Sequence, residues 1–149
     1  MKLNMQTNLN FKMNYLTHFL LLATLFFGFN SCQKKPGVGG DAKINGKVYF
    51  KHYNSTFSTL IEEGYLADTY VYIVYGDQLS YGTRLKTNYK GEFEFKYLYP
   101  GKYKVYTYSL DSLAMVNGQM PVNQKVIIDS CLITKRKEII SLSDLYVFK

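Results

Sequence analysis

The chain has 149 residues, 47% of them hydrophobic and 19% charged, which excludes a disordered tail and suits one globular domain. Lys and Arg number 18 against 11 Asp and Glu, a formal +7. Lys2 and Lys12 fall in the first 31 residues, which hold no acid, so the other 118 carry 16 bases against 11 acids, a net +5. The lysines are spread along the chain, and the one basic run, Lys135-Arg136-Lys137, is short; no nucleic-acid partner is expected from this pattern.

Residues 1–14 are polar and basic, and Phe19 to Phe29 (FLLLATLFFGF) is an apolar run of 11 residues. A membrane span needs roughly 20 residues, whereas a run of this length suits the core of a signal peptide. Asn30-Ser31-Cys32 follows. A small residue directly before a cysteine, at the end of such a run, resembles a bacterial lipoprotein lipobox, although Phe29 and Asn30 depart from its strict Leu-Ala/Ser pattern. The resemblance implies that residues 1–31 are a signal peptide. It also implies that the Cys32 thiol is diacylglycerol-modified and that its amino group is acylated after cleavage. The alternative is an ordinary secretory signal with a coincidental Cys32. One acyl chain holds a protein marginally and two or three hold it well, at about 0.8 kcal/mol per buried CH₂. Residues 32–42, rich in Gly and Lys with one Pro, read as a flexible tether, with Lys34 and Lys35 suited to anionic headgroups. Gln33 is similar to the residue after the cysteine in lipoproteins sent to the outer membrane. No run of acids follows, as it does in some surface-exported ones, so the periplasmic face is expected. No cofactor is expected beyond the covalent lipid on Cys32. The second cysteine, Cys131, lies in VIIDSCLI and reads as a core thiol.

From residue 43 the pattern has a period of two. In KINGKVYFK (43–51), Ile44, Gly46, Val48 and Phe50 share one face, and Lys43, Asn45, Lys47 and Lys51 the other. TLIEEGY (59–65) has capping-box spacing at Thr59 and Glu62 and predicts one helical turn, stopped by Gly64. TYVYIVY (69–75) predicts a central strand with Val71 and Ile73 inward. RLKTN (84–88), EFEFK (92–96), KYKVYTYSL (102–110), KVIID (125–129, extending towards Ile133) and SDLYVFK (143–149) complete about seven strands. Asn88 and Gly91 bound a tight turn and Pro100-Gly101 makes another. Two long loops, 54–68 and 111–124, separate these elements. Short strands with frequent turns predict an all-β, Ig-like or transthyretin-like antiparallel β-sandwich over residues 43–149.

The residues between 88 and 105 carry a second likeness. Asn88, Gly91, Glu92, Phe93, Phe95, Leu98, Pro100, Gly101, Tyr103 and Val105 form the pattern Asn-x-x-Gly-Glu-Phe-x-Phe…Leu-x-Pro-Gly-x-Tyr-x-Val. It resembles carboxypeptidase-regulatory-like domains, also called transthyretin-like or prealbumin-like sandwiches. INGKVYF is similar to that family's first strand and LADTYVYI (66–73) to its second. The resemblance covers 43–110 and implies a fold, with an accessory role in envelope proteins, rather than an activity.

Residues for catalysis are few. Outside the signal segment the sole histidine is His52, which cannot form a His-based metal site. Glu62, Glu63, Asp68, Asp77, Asp111, Asp129 and Asp144 have no calcium-loop spacing, and the glycines form no phosphate loop. An isopeptide bond from Lys47 is not expected, because the last strand has no Asn. No metal site is expected, and the residues permit no enzyme except an acid-only hydrolase. Fourteen tyrosines against five phenylalanines remain after residue 31. Tyr70 and Tyr72 alternate with Val71 and Ile73, and Tyr106 and Tyr108 with Tyr103 and Val105. If the two strands share a sheet, these four tyrosines make an outward patch, whose bland reading is sheet stabilisation by cross-strand pairs. The expected function is a non-enzymatic, lipid-anchored envelope protein acting as an interaction or structural module, its partners being the membrane and an envelope protein or a glycan. The alternative is a carbohydrate-binding accessory lipoprotein using the exposed tyrosines and long loops.

Overall fold

The computed structural model describes residues 34–118 and 123–149; the signal segment and Cys32 lie outside them. Alternating apolar residues dominate the chain, and it builds an all-β sandwich from them. The strands are β1 (Val38–Tyr53), β2 (Leu60–Tyr65), β3 (Tyr70–Tyr75), β4 (Thr83–Lys86), β5 (Glu92–Leu98), β6 (Gly101–Leu110), β7 (Gln124–Ile133), β8 (Ile139–Ser141) and β9 (Leu145–Phe148). A short helix α1 (Ser112–Val116) follows β6.

One sheet is centred on β1. At Ile44 it is flanked by Phe95 of β5 and Ile140 of β8, and at Tyr49 by Tyr65 of β2 and Tyr146 of β9. The other sheet has the order β4-β3-β6-β7, antiparallel throughout. The residues predicted inward are inward: Ile44, Val48, Val71, Ile73, Phe93, Phe95, Leu98, Tyr103 and Val105 are buried in one core. Leu145 and Val147 of β9 and Ile133 of β7 close it. A buried hydroxyl ties the layers, the Phe148 N–H donating to Ser109 Oγ at 2.8 Å, and another links neighbouring strands of one sheet, Thr107 Oγ1 donating to the Tyr70 carbonyl at 2.9 Å.

Three expectations are corrected. TLIEEGY is not a helical turn: Leu60–Tyr65 is a strand paired antiparallel to β1 from Tyr49 to Tyr53. A capping box stabilises a helix only when enough residues follow it, and here β1 offers hydrogen bonds instead. Its hairpin tip is closed by Asn54, whose Oδ1 accepts from the Ser58 and Thr59 amides at 2.8 and 3.1 Å. The stretch read as a tether to residue 42 joins the domain earlier. The Tyr99 N–H donates to the Gly37 carbonyl at 2.9 Å, and Ala42 is fully buried. Gly40 is there for close approach, since a Cβ would stand 2.0 Å from the Leu98 carbonyl oxygen. Finally, about seven strands are expected and the described residues hold nine, β2 and β8 being the additional ones. Strand β8 pairs with β1 over only three residues, too few for a period to register.

Candidate functional site

The outward face of the β4-β3-β6-β7 sheet gathers the four tyrosines singled out in the sequence. Register places Tyr72 opposite Tyr106, and their rings stack at 4.9 Å with 9° between planes. Tyr108 meets Tyr72 and Tyr106 edge-on at 5.6 and 5.7 Å, Tyr70 lies 6.3 Å from Tyr72, and Tyr81 stands edge-on to Tyr72 at 5.1 Å. Tyr81 was not singled out, because it lies outside any strand and only folding brings its turn over β3. Tyr70 and Tyr108 keep 41% and 45% of their surface exposed. Desolvation, with the Tyr108 hydroxyl alongside, pushes the Tyr106 hydroxyl above its ordinary pKa, so it remains a hydrogen-bond donor.

Cations frame the rings. The Arg84 guanidinium lies 4.5 Å from the Tyr70 ring centroid, and a side-chain hydrogen bond to Tyr72 raises its pKa. Lys86 Nζ lies 5.1 Å from the same ring centroid and pairs with Asp68 at 2.8 Å. Lys102 and Lys104 project from β6 beside Leu132 and Ser130 of β7. Among the described residues, no outward strand position on this sheet is acidic. Val126, Ile128 and Leu132 extend the face onto edge strand β7, each about half exposed.

A second tyrosine row crosses the opposite sheet. Tyr49 meets Tyr65 at 5.3 Å and Tyr146 at 5.7 Å. The sequence alone does not reveal this row, since TLIEEGY predicts a helical turn and only pairing with β1 brings Tyr65 beside Tyr49. Beside it lies a shallow depression of about 510 Å³ lined by Asn45, Lys47, Asn88, Glu92, Glu94, Ser141 and Asp144. Lys47 pairs with Glu92, and Glu94 with Lys43 and Lys96, at 2.8–3.2 Å. Hydrogen bonds hold both glutamates below the ordinary carboxylate pKa: Glu92 from Asn88 and then Lys47, Glu94 from Lys96 and then Lys43. Neither glutamate shows the raised pKa of a general acid.

The other candidates disperse. His52 faces Glu62 across the β1–β2 hairpin. Asp129 accepts from Ser143 at 3.2 Å, and Asp68 is held by Lys86. Cys131 is half-buried against the core, and burial above all, with Asp129 and Glu138 nearby, pushes its thiol up to about 11. No group of three metal-ligating side chains occurs among the described residues.

No protein-family model matches the chain, and no curated protein matches it. A solved structure from Pseudomonas aeruginosa, of a protein proposed to bind carbohydrate, aligns with a TM-score of 0.44 and 14% identity. The alignment covers 76% of this chain and 92% of that one.

Proposed function

We propose that the chain is a non-enzymatic module of the bacterial cell envelope, anchored in the outer membrane by lipid on Cys32. Its domain faces the periplasm and docks a protein partner with an acidic surface. The observation that carries the docking role is the face of Tyr70, Tyr72, Tyr106 and Tyr108, framed by Arg84, Lys102 and Lys104 and free of acids at its outward strand positions. Aromatic rings beside arginine, with an apolar strip next to them, are the composition of protein interfaces. Among the described residues β7 is an edge strand, which adds backbone groups for an extended partner segment. Sugar stacking on this face is disfavoured by its geometry. A sugar needs the flat of a ring, and Tyr72 and Tyr106 turn theirs to each other. The anchor rests on the apolar run at 19–29 followed by Ser31-Cys32.

Metabolic labelling with palmitate tests the anchor: labelling is expected in the wild type and absent in Cys32→Ala, and equal labelling sinks it. Photo-crosslinking from position 130, the exposed cross-strand neighbour of Lys104, in cells tests the face. One partner band is expected, lost in Tyr106→Ala plus Tyr108→Ala and in Lys102→Glu plus Lys104→Glu. A band indifferent to both double variants overturns the docking role.

A further inference from the structure

Tyr97 breaks the alternation of β5. Phe93 and Phe95 point into the core, so a period of two puts position 97 inward as well. Instead Tyr97 has a left-handed backbone, φ +60°, and a side chain 68% exposed, and Leu98 is the residue buried next. The register of β1 against β5 shifts where β1 reaches Leu98. A bulky residue rarely adopts this conformation, and such strain concentrates at functional positions. Here it turns an amphipathic ring outward at the end of the sheet.

The same end of the sandwich receives the start of the domain. The Gly37 N–H donates to the Tyr103 hydroxyl at 3.0 Å, and Lys34 Nζ lies 3.3 Å from the Tyr99 hydroxyl. Pro36 packs on Gly76 after β3 and on Gly101 of β6, where an added Cβ would stand 3.5 and 2.4 Å from its Cγ. The turn that begins at Gly76 leaves Leu79 fully exposed. Ile133 pairs with Gly101, and the turn after it carries Lys135, Arg136 and Lys137, all exposed. Residues 34–37, 76–82, 97–101 and 134–138 thus meet at this end, with five bases against two acids, Asp77 and Glu138. Glu138 accepts from the Thr134 and Lys135 amides, and a third acid nearby, Asp41, pairs with Arg136 at 2.7 Å.

We propose that this end is a docking surface for an anionic phospholipid bilayer, with Tyr97 and Leu79 entering the headgroup layer and the lysines meeting phosphates. The occupant follows from the length of chain before the domain. Gln33 alone separates Cys32 from Lys34. Gly37 is bonded to the domain at both its N–H and its carbonyl, and five residues of chain reach at most about 18 Å. A lipid on Cys32 therefore holds this end of the sandwich within that distance of the membrane. Tyrosine and lysine are side chains suited to the layer it meets, one by its amphipathic ring and the other by its charge on a long apolar stem. The inference rests on the lipid anchor proposed above and adds which end of the domain lies on the bilayer.

The test uses single tryptophans, since the chain has none. Tyr97→Trp reports on this end, and Tyr89→Trp, in the exposed turn before β5, on the opposite end. Each protein is lipidated in cells, purified in detergent and reconstituted into vesicles of phosphatidylcholine and phosphatidylglycerol brominated in their acyl chains. Tyr97→Trp emission is expected to be quenched at least about twofold, because the ring sits in the interface, and Tyr89→Trp to be unaffected. Adding Lys135→Glu plus Lys137→Glu, far in sequence from Cys32, is expected to remove most of the quenching, with far-ultraviolet circular dichroism checking the fold. Equal quenching at both positions, or none at Tyr97→Trp in protein that carries palmitate and floats with the vesicles, overturns the surface and leaves the anchor standing. Quenching that is indifferent to the two glutamates and unchanged on phosphatidylcholine alone overturns the anionic surface. Absence of palmitate on Cys32 overturns anchor and surface together.

Discussion

The Tyr103 hydroxyl shows how one atom joins the start of the domain to its middle. It donates to the Tyr99 carbonyl at 2.6 Å and accepts from the Gly37 N–H at 3.0 Å, while its ring is buried in the core. Tyr103→Phe keeps the packing and orphans the Gly37 amide. It is expected to cost about 1–3 kcal/mol in urea unfolding, with proteolysis rising first near residues 34–40. The Tyr103 ring was legible as core from its alternation with Lys102 and Lys104. Its hydroxyl partner was not, since Gly37 lies 66 residues away. Cys131 tells a similar story. The sequence places it on a strand, but only burial in the packed domain, with Asp129 and Glu138 nearby, raises its pKa to about 11. Alkylation by iodoacetamide at pH 8 is therefore expected to run on the order of a hundredfold slower than for an ordinary thiol, since the thiolate is the nucleophile. The rate should climb about tenfold per pH unit up to that value. A rate equal to that of free cysteine at pH 8 would refute the burial.

At the scale of elements, turns were the easiest parts to anticipate. Asn88 and Gly91 close the β4–β5 connection as their chemistry requires. Asn88 Oδ1 accepts from the Lys90 and Glu92 amides at 2.9 Å, and Gly91 has φ +70°. A Cβ at Gly91 would also stand 2.9 Å from the Val48 carbonyl oxygen. Gly91→Ala is expected to lower stability by at least about 1 kcal/mol, the cost of a left-handed alanine, read as a fall in thermal midpoint. Strand β2 was the hardest element. Leu60–Tyr65 alternates poorly and is exposed over most of its length, so no inward row betrays it; it is a strand because β1 is long enough to pair with it. The stacked Tyr72 and Tyr106 link β3 to β6. A double-mutant cycle with Tyr72→Leu and Tyr106→Leu is expected to give a coupling of about 0.5–1.5 kcal/mol, and a coupling near zero would show that the rings only share solvent exclusion.

The domain from Lys34 to Lys149 is a sandwich with differently charged faces. The β1-centred sheet is laced with carboxylates, and Glu92, Glu94 and Glu138 all titrate below their ordinary value of 4.5. Groups with depressed folded values add stability above pH 4.5 and lose it as the pH falls through those values. The thermal midpoint is thus expected to be flat through neutral pH and to drop on acidification below 4.5; a midpoint that rises there would contradict these pairings. The amino-acid sequence alone determined which residues face inward, where the chain turns and that the fold is all-β. Each follows from a local period of two and from the backbone demands of Asn, Gly and Pro. Tertiary structure alone decided which strands share a sheet. That pairing brings β3 and β6 together so that Tyr70, Tyr72, Tyr106 and Tyr108 form one patch, and it sets Asn45 between Glu94 and Ser141. Hydrogen bonding between strands depends on register across tens of residues, and no local pattern encodes it.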